Sequence, residues 1–219
     1  MKAVIIVLVV IVVLALLVIG GFMYFMSRGA KLEDFEHLRE PRITDMPDQK
    51  VIEIEISGDP NQAAGDAFKA LFSTYYNAEG VDKGGKPPAP MARWKRDFAG
   101  PKSEWTGKYA LAVPEGVEKL PEVDSEGGPA PELATWEYGE VAEILHVGSY
   151  DSEKETIDRL LAFVDESGYR PSGDHEEVYL KGPGMFGAGN PDKYLTLIRY
   201  PVEEKPAAKS APEDGAKSD

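Results

Sequence analysis

Hydrophobic and polar positions divide this chain into three stretches. Ala3 to Met26 is 24 residues without a charge, mostly Val, Ile, Leu, Phe and Met. As a helix it rises roughly 36 Å at about 1.5 Å per residue, enough for a hydrocarbon core of about 30 Å. A cleaved signal peptide has a shorter apolar run and a small-x-small site. Phe22-Met23-Tyr24-Phe25-Met26-Ser27-Arg28 does not offer one, so residues 1–27 read as an uncleaved single-pass anchor. The side of the soluble part stays open: Arg28 and Lys31 against the lone Lys2 favour the cytoplasm, whereas the very short N-terminus favours export.

Residues 28–50 are polar, carry Pro41 and Pro47, and read as a stalk. Val51-Ile52-Glu53-Ile54-Glu55-Ile56 then alternates apolar and acidic positions, as a half-buried strand does. Asp59-Pro60 opens a helix whose Ala64, Phe68, Leu71, Phe72 and Tyr75 share a face. A Gly/Pro-rich loop leads to strands near Met91–Phe98 and Trp105–Val113. After a linker from Glu115 to Pro131 the order repeats from about Leu133. Val141–Val147 is a strand, and a helix with Ile157, Leu160, Leu161 and Val164 on one face follows. Ser152 and Glu155 have the spacing of a capping box before it. Strands follow at His175–Lys181 and Tyr194–Val202. The expectation is an α+β domain over 51–202, built from two similar halves, 51–120 and 133–202. Residues 203–219 are Pro, Ala, Lys and acid without periodicity and read as a disordered tail, a possible point of contact for a scaffold.

Charge and composition remove several functions. The 219 residues hold 38 acids against 24 bases, a formal net charge of -14, so non-specific nucleic-acid binding is disfavoured. Cysteine is absent, which excludes thiolate catalysis and Cys-ligated metals. His37, His146 and His175 have no metal-ligand spacing, and His146 near a strand end reads as a structural hydrogen-bonding residue. Gly182, Gly184 and Gly187 match G-x-G-x-x-G literally, but Asn-Pro and a strand follow instead of a helix, so no dinucleotide site is expected. No metal and no cofactor is called for.

What remains is chemistry based on Glu and aromatic side chains. In the strand His175–Lys181, Glu177 and Tyr179 share one face. Val178 and Leu180 share the other and suit packing against helices. Glu177 and Tyr179 are therefore expected on the open face. There a carboxylate among aromatics attracts a cation, acts as a general base, or is merely a solvated surface group. Trp94, Trp105 and Trp136, the only tryptophans, with Tyr109, Tyr138 and Tyr150, are candidates for a ligand-binding wall or for plain core.

Four segments carry a resemblance. Val141-Ala142-Glu143-Ile144-Leu145-His146-Val147-Gly148-Ser149-Tyr150 resembles the strand-to-helix signature of the GyrI-like family, the effector-binding domain of multidrug-responsive regulators. His175-Glu176-Glu177-Val178-Tyr179-Leu180 resembles its Glu-x-Tyr strand, and Leu195–Val202 its closing strand. Glu104-Trp105-Thr106-Gly107-Lys108-Tyr109 looks like the Trp-bearing strand of standalone members. The resemblance implies two strand-helix-strand-strand units about a pseudo-twofold axis, with helices on one face of the sheets and a ligand cleft on the other. It implies binding of hydrophobic or cationic small molecules or, in a standalone subset, hydrolysis of electrophilic cyclopropane toxins. It makes Glu177 the central pocket residue, the catalytic one if there is an enzyme; Tyr179, from strand alternation, and Trp105, Trp94 and Tyr150, from the aromatic content of the neighbouring strands, are the other ligand-binding candidates. Gly182-Pro183-Gly184 stands where the family usually has Asp-Pro, and no helix-turn-helix precedes the domain.

Overall fold

The computed structural model describes residues 30–95, 101–121, 129–183 and 189–206. The proposed anchor and most of the expected tail lie outside them. Among the described residues no helix is long and apolar enough to cross a membrane. The chain divides into two compact units at His37/Leu38. A 3-10 turn, Leu32–Leu38, runs up to that division. The fold below is that of the second unit.

The described residues of this unit form nine strands and two α-helices, besides short 3-10 turns: β1 (Arg42–Met46), β2 (Gln49–Ser57), α1 (Pro60–Asn77), β3 (Met91–Trp94), β4 (Thr106–Ala112), β5 (Glu132–Trp136), β6 (Gly139–Val147), α2 (Glu153–Glu166), β7 (Tyr169–Pro171), β8 (His175–Lys181) and β9 (Leu195–Glu204). Eight strands run antiparallel in the order β1-β6-β9-β8-β3-β4-β2-β5, and β7 pairs with the end of β9. The sheet curls into a half-barrel.

The duplication is physical. β2-α1-β3-β4 and β6-α2-β8-β9 are equivalent halves. Each is preceded by a short strand that pairs with the other half: β1 leads into β2 but pairs with β6, and β5 leads into β6 but pairs with β2. Gly58 and Gly148 end β2 and β6 at φ of 136° and 145°, a conformation open to glycine and strained for other residues. At the axis β3 and β8 pair directly, with Ala92 opposite Glu177.

α1 packs on β2 and β4, and α2 on β6 and β7. Ala67, Leu71 and Tyr75 of α1 bury Ile52, Ile54, Tyr109 and Leu111. Leu160 and Val164 of α2 bury Ala142, Ile144 and Ile198. The main packing of neither helix falls on β3 or β8, in the middle of the sheet.

Several expectations are corrected. Arg42–Met46, assigned to the stalk, is a strand. Its polar side chains conceal a role as an edge, where Arg42 Nε donates to Glu143 at 2.8 Å. β3 stops at Trp94, and β9 runs to Glu204, past the expected end at Val202. Ser152 does not cap α2 with its side chain; its hydroxyl donates to the Ser149 carbonyl at 2.7 Å.

The largest correction concerns the faces. Glu177 and Tyr179 do share a face, but it is the helix face, where Tyr179 packs with Phe68 of α1. The cleft therefore lies on the same side as the helices, between them. The opposite face buries charge. Lys108, Arg93, Glu176, Arg199, Glu143 and Arg42 stand opposite one another strand by strand. Arg93 Nε reaches Glu176 at 2.9 Å and Arg199 Nε reaches Glu143 at 2.9 Å. Glu176 is 0% exposed because Tyr138 donates to it and the arginines cover it. The sequence reading of β8 gives that face to the helices because Val178 and Leu180 lie on it, and it does not count charges neutralised by cross-strand partners.

Candidate functional site

The register places one carboxylate in an apolar row. Across the helix face, Ile54, Tyr109, Ala92, Glu177, Ile198 and Ile144 stand side by side on six strands. Ala92, the residue opposite Glu177, is small and leaves the carboxylate room. Glu177 Oε1 lies 2.9 Å from His175 Nε2, and Oε2 accepts from the Tyr179 hydroxyl at 2.6 Å. Positions 175, 177 and 179 of one strand thus hold the carboxylate at both oxygens. His175 is 1% exposed and packs against the edge of Tyr200.

Around this floor lies a cavity of about 1330 Å³, larger than the ~300–1,000 Å³ of ordinary ligand pockets. Trp94, Trp105, Tyr150, Glu177 and Tyr179 all line it, so the structure brings the five sequence candidates together. Trp94 lies flat over Gly107, where a Cβ would meet its ring at 2.5 Å, and it contacts Trp105 and Tyr109 edge-on. Tyr150, from the turn after β6, meets Tyr179 and Tyr194 at ring distances of 5.7 and 5.3 Å. Trp136 is on the far face instead. Its indole N–H donates to Glu53 at 2.7 Å, and the Arg93 guanidinium lies 4.1 Å from its ring centroid.

Three participants were not singled out from sequence. His175 was legible by strand parity with Glu177. Phe68 was read as core but also walls the cavity. Glu153, in the first turn of α2, looks like any acid at a helix N-terminus. Its carboxyl is 6% exposed and faces the cavity. Burial, and then the charge of Glu177, push its pKa up to about 9, so it is neutral at pH 7. Burial, reinforced by the Glu177 charge, also raises the hydroxyls of Tyr109, Tyr150 and Tyr179, which stay protonated donors. The site thus presents the carboxylate of Glu177, the neutral carboxylic acid of Glu153, phenols and aromatic walls.

His146 is set apart in a structural role. Its Nδ1 lies 2.8 Å from Thr156 and its Nε2 3.1 Å from the Ser149 carbonyl, and burial lowers its pKa. Among the described residues no cluster of three or more His, Asp or Glu could hold a metal ion.

The sequence profile of the GyrI-like small molecule binding domain matches residues 39–203. The chain belongs to the GyrI-like family. The matched span starts just past the 3-10 turn and includes β1. Solved structures of similar fold include a hydrolase from Listeria innocua, 21% identical, covering 78% of this chain and 98% of that one at a TM-score of 0.62. Another, an uncharacterized conserved protein from Listeria innocua, is 22% identical over 75% and 93% at 0.63. The C-terminal domain of EcmrR is 14% identical over 76% and 98% at 0.52. At these identities the likeness is one of fold. No curated protein matches the chain.

Proposed function

We propose that this GyrI-like domain is held at a membrane by its N-terminal apolar run and binds hydrophobic, cationic small molecules for sensing or sequestration. The observation that carries the reading is Glu177, a carboxylate in an otherwise apolar row at the base of an aromatic cavity. Such a group lowers the stability of an empty site, and a cation restores the lost solvation while aromatic faces add their own attraction. Cationic aromatic compounds should raise the melting temperature of the protein more than neutral compounds of the same shape. Equal shifts for both would contradict the reading.

A second reading, hydrolysis of an electrophilic small molecule such as a strained cyclopropane, is favoured by one feature. Glu153, whose pKa is raised by burial and by the charge of Glu177, faces the same cavity as Glu177, so a protonated acid stands beside a second carboxyl group. Glu177 would take a proton from an attacking water while the ring bond to the attacked carbon breaks. Glu153 would give a proton to the departing electron pair, for a net addition of one water. Mass spectrometry of recovered ligand distinguishes the readings: unchanged mass favours binding, and gain of one water favours turnover.

A further inference from the structure

His175 sits behind Glu177. Its side chain is 1% exposed against 13% for Glu177, so a ligand in the cavity meets the carboxylate before the imidazole. Nε2 of the ring lies 2.9 Å from Oε1 of Glu177. A carboxylate oxygen only accepts, so Nε2 carries the hydrogen and the neutral ring donates it. Tyr200 packs against the ring at 5.1 Å between centroids, and Trp94 stands opposite on β3. A second proton, taken from solvent at Nδ1, makes this ring a cation without moving it. Its charge then lies against the same carboxylate that faces the cavity.

We infer that a proton on His175 and a cation in the cavity are alternative partners of the Glu177 carboxylate, so that acidification expels the ligand. The inference rests on the cation-binding reading of Glu177 and adds its regulation. Two positive charges on one carboxylate repel each other, and each weakens the binding of the other by the same factor. Histidine is the side chain that changes charge between about pH 5 and 8. Among the described residues, the other titratable groups turned toward this place are Tyr179 on β8, Tyr200 on β9, Tyr109 on β4, His146 on β6, and Tyr150 and Glu153 at the start of α2; β3 presents only Ala92 and Trp94. Exposed Lys102, Asp151, Lys154, Asp158 and Lys181 also line the cavity. Tyr109, Tyr150 and Tyr179 stay protonated, and Glu153, with a pKa of about 9, keeps its proton below neutral pH.

The test uses full-length protein in lipid nanodiscs, with empty nanodiscs as the blank. Ethidium is the probe, because its charge is permanent, and acridone is the neutral control. Wild-type affinity for ethidium should fall about tenfold from about pH 7 to about pH 5, and affinity for acridone by less than about twofold. His175→Gln can present an N–H to Glu177 but takes no proton. The ratio of its ethidium affinities at the two pH values should be below about three, whatever its absolute affinity. Calorimetry at about pH 6 in two buffers of different ionisation enthalpy gives a second measure: the wild type should release protons on binding ethidium, and His175→Gln should release none. Wild-type affinity that is flat with pH, or binding without proton release, overturns the inference. So does a His175→Gln variant that keeps the wild-type ratio, which moves the titration to another group. If Glu177→Gln weakens ethidium binding at neutral pH while wild-type affinity is flat, the cation-binding reading stands and this inference fails. If Glu177→Gln binds ethidium as the wild type does, or the wild type binds none, both fail.

Discussion

Substituting Gly107 by Ala tests the cavity wall where its geometry is tightest. Gly107 is paired with Trp94 across β3 and β4, and the indole lies over it. A Cβ there would sit 2.5 Å from Cζ3 and 2.9 Å from both Cε3 and Cη2 of the ring. These atoms belong to a rigid bicycle that is 5% exposed and bounded by Trp105 and Tyr109. They cannot give way as the end of a flexible chain would. Relief requires a shift of the central strand or displacement of the indole. Overpacking of this kind costs about 1–3 kcal/mol. For a domain of this size each kcal/mol lowers the melting temperature by about 2–4 °C, so the expected fall is about 2–12 °C. The assay is thermal or urea unfolding of Gly107→Ala, Trp94→Leu and the double variant. Because leucine leaves the space the ring occupied, the alanine should cost much less in the Trp94→Leu background. The expected coupling is about 0.5–3 kcal/mol. A Gly107→Ala variant within about 0.5 kcal/mol of wild type, or a cycle that is simply additive, would refute the contact.

On the charged face, Arg93→Met should destabilise by about 3 kcal/mol in urea unfolding, because it strips the 0%-exposed Glu176 of a close cation. Arg170→Met, which breaks an exposed pair with Glu203, should cost about 0–1 kcal/mol in the same assay. Glu153 has a folded pKa of about 9, above its unfolded value near 4.5. The folded state therefore holds the proton more tightly, and stability falls as pH rises from about 4.5 to about 9. Melting curves across that window should flatten in Glu153→Gln, and an unchanged pH profile would count against the raised carboxyl. Full-length protein should stay in the membrane fraction through high-salt and carbonate washes, and release or cleavage near Ser27 would replace the anchor with a signal peptide.

Much of the fold was legible in local pattern. The two helices follow from their apolar stripes, and β8 was bounded correctly because His175–Lys181 alternates between turn-forming flanks. β1 was not legible: Arg-Ile-Thr-Asp-Met is short and polar, and it becomes a strand only through pairing with β6. The face of Glu177 was misassigned because Val178 and Leu180 looked like the helix-packing side. Glu176 on their side is buried by Arg93 and Arg199, which come from β3 and β9. No local window around β8 contains those partners. Alternation did join Glu177 with Tyr179, and the aromatic content of the strands picked out Trp105, Trp94 and Tyr150. Glu153 stayed hidden because its distinction is proximity to Glu177, 24 positions later, not its place in the first turn of α2.

The central claim is that the charge of Glu177 holds a cationic ligand at the base of the cavity. Titrating ethidium into wild type and Glu177→Gln measures it most directly, since the amide keeps the shape and removes the charge. A charge-assisted hydrogen bond contributes about 1.5–3 kcal/mol, so affinity should fall roughly ten- to hundredfold. Equal affinity of the two proteins for the cation would contradict the account.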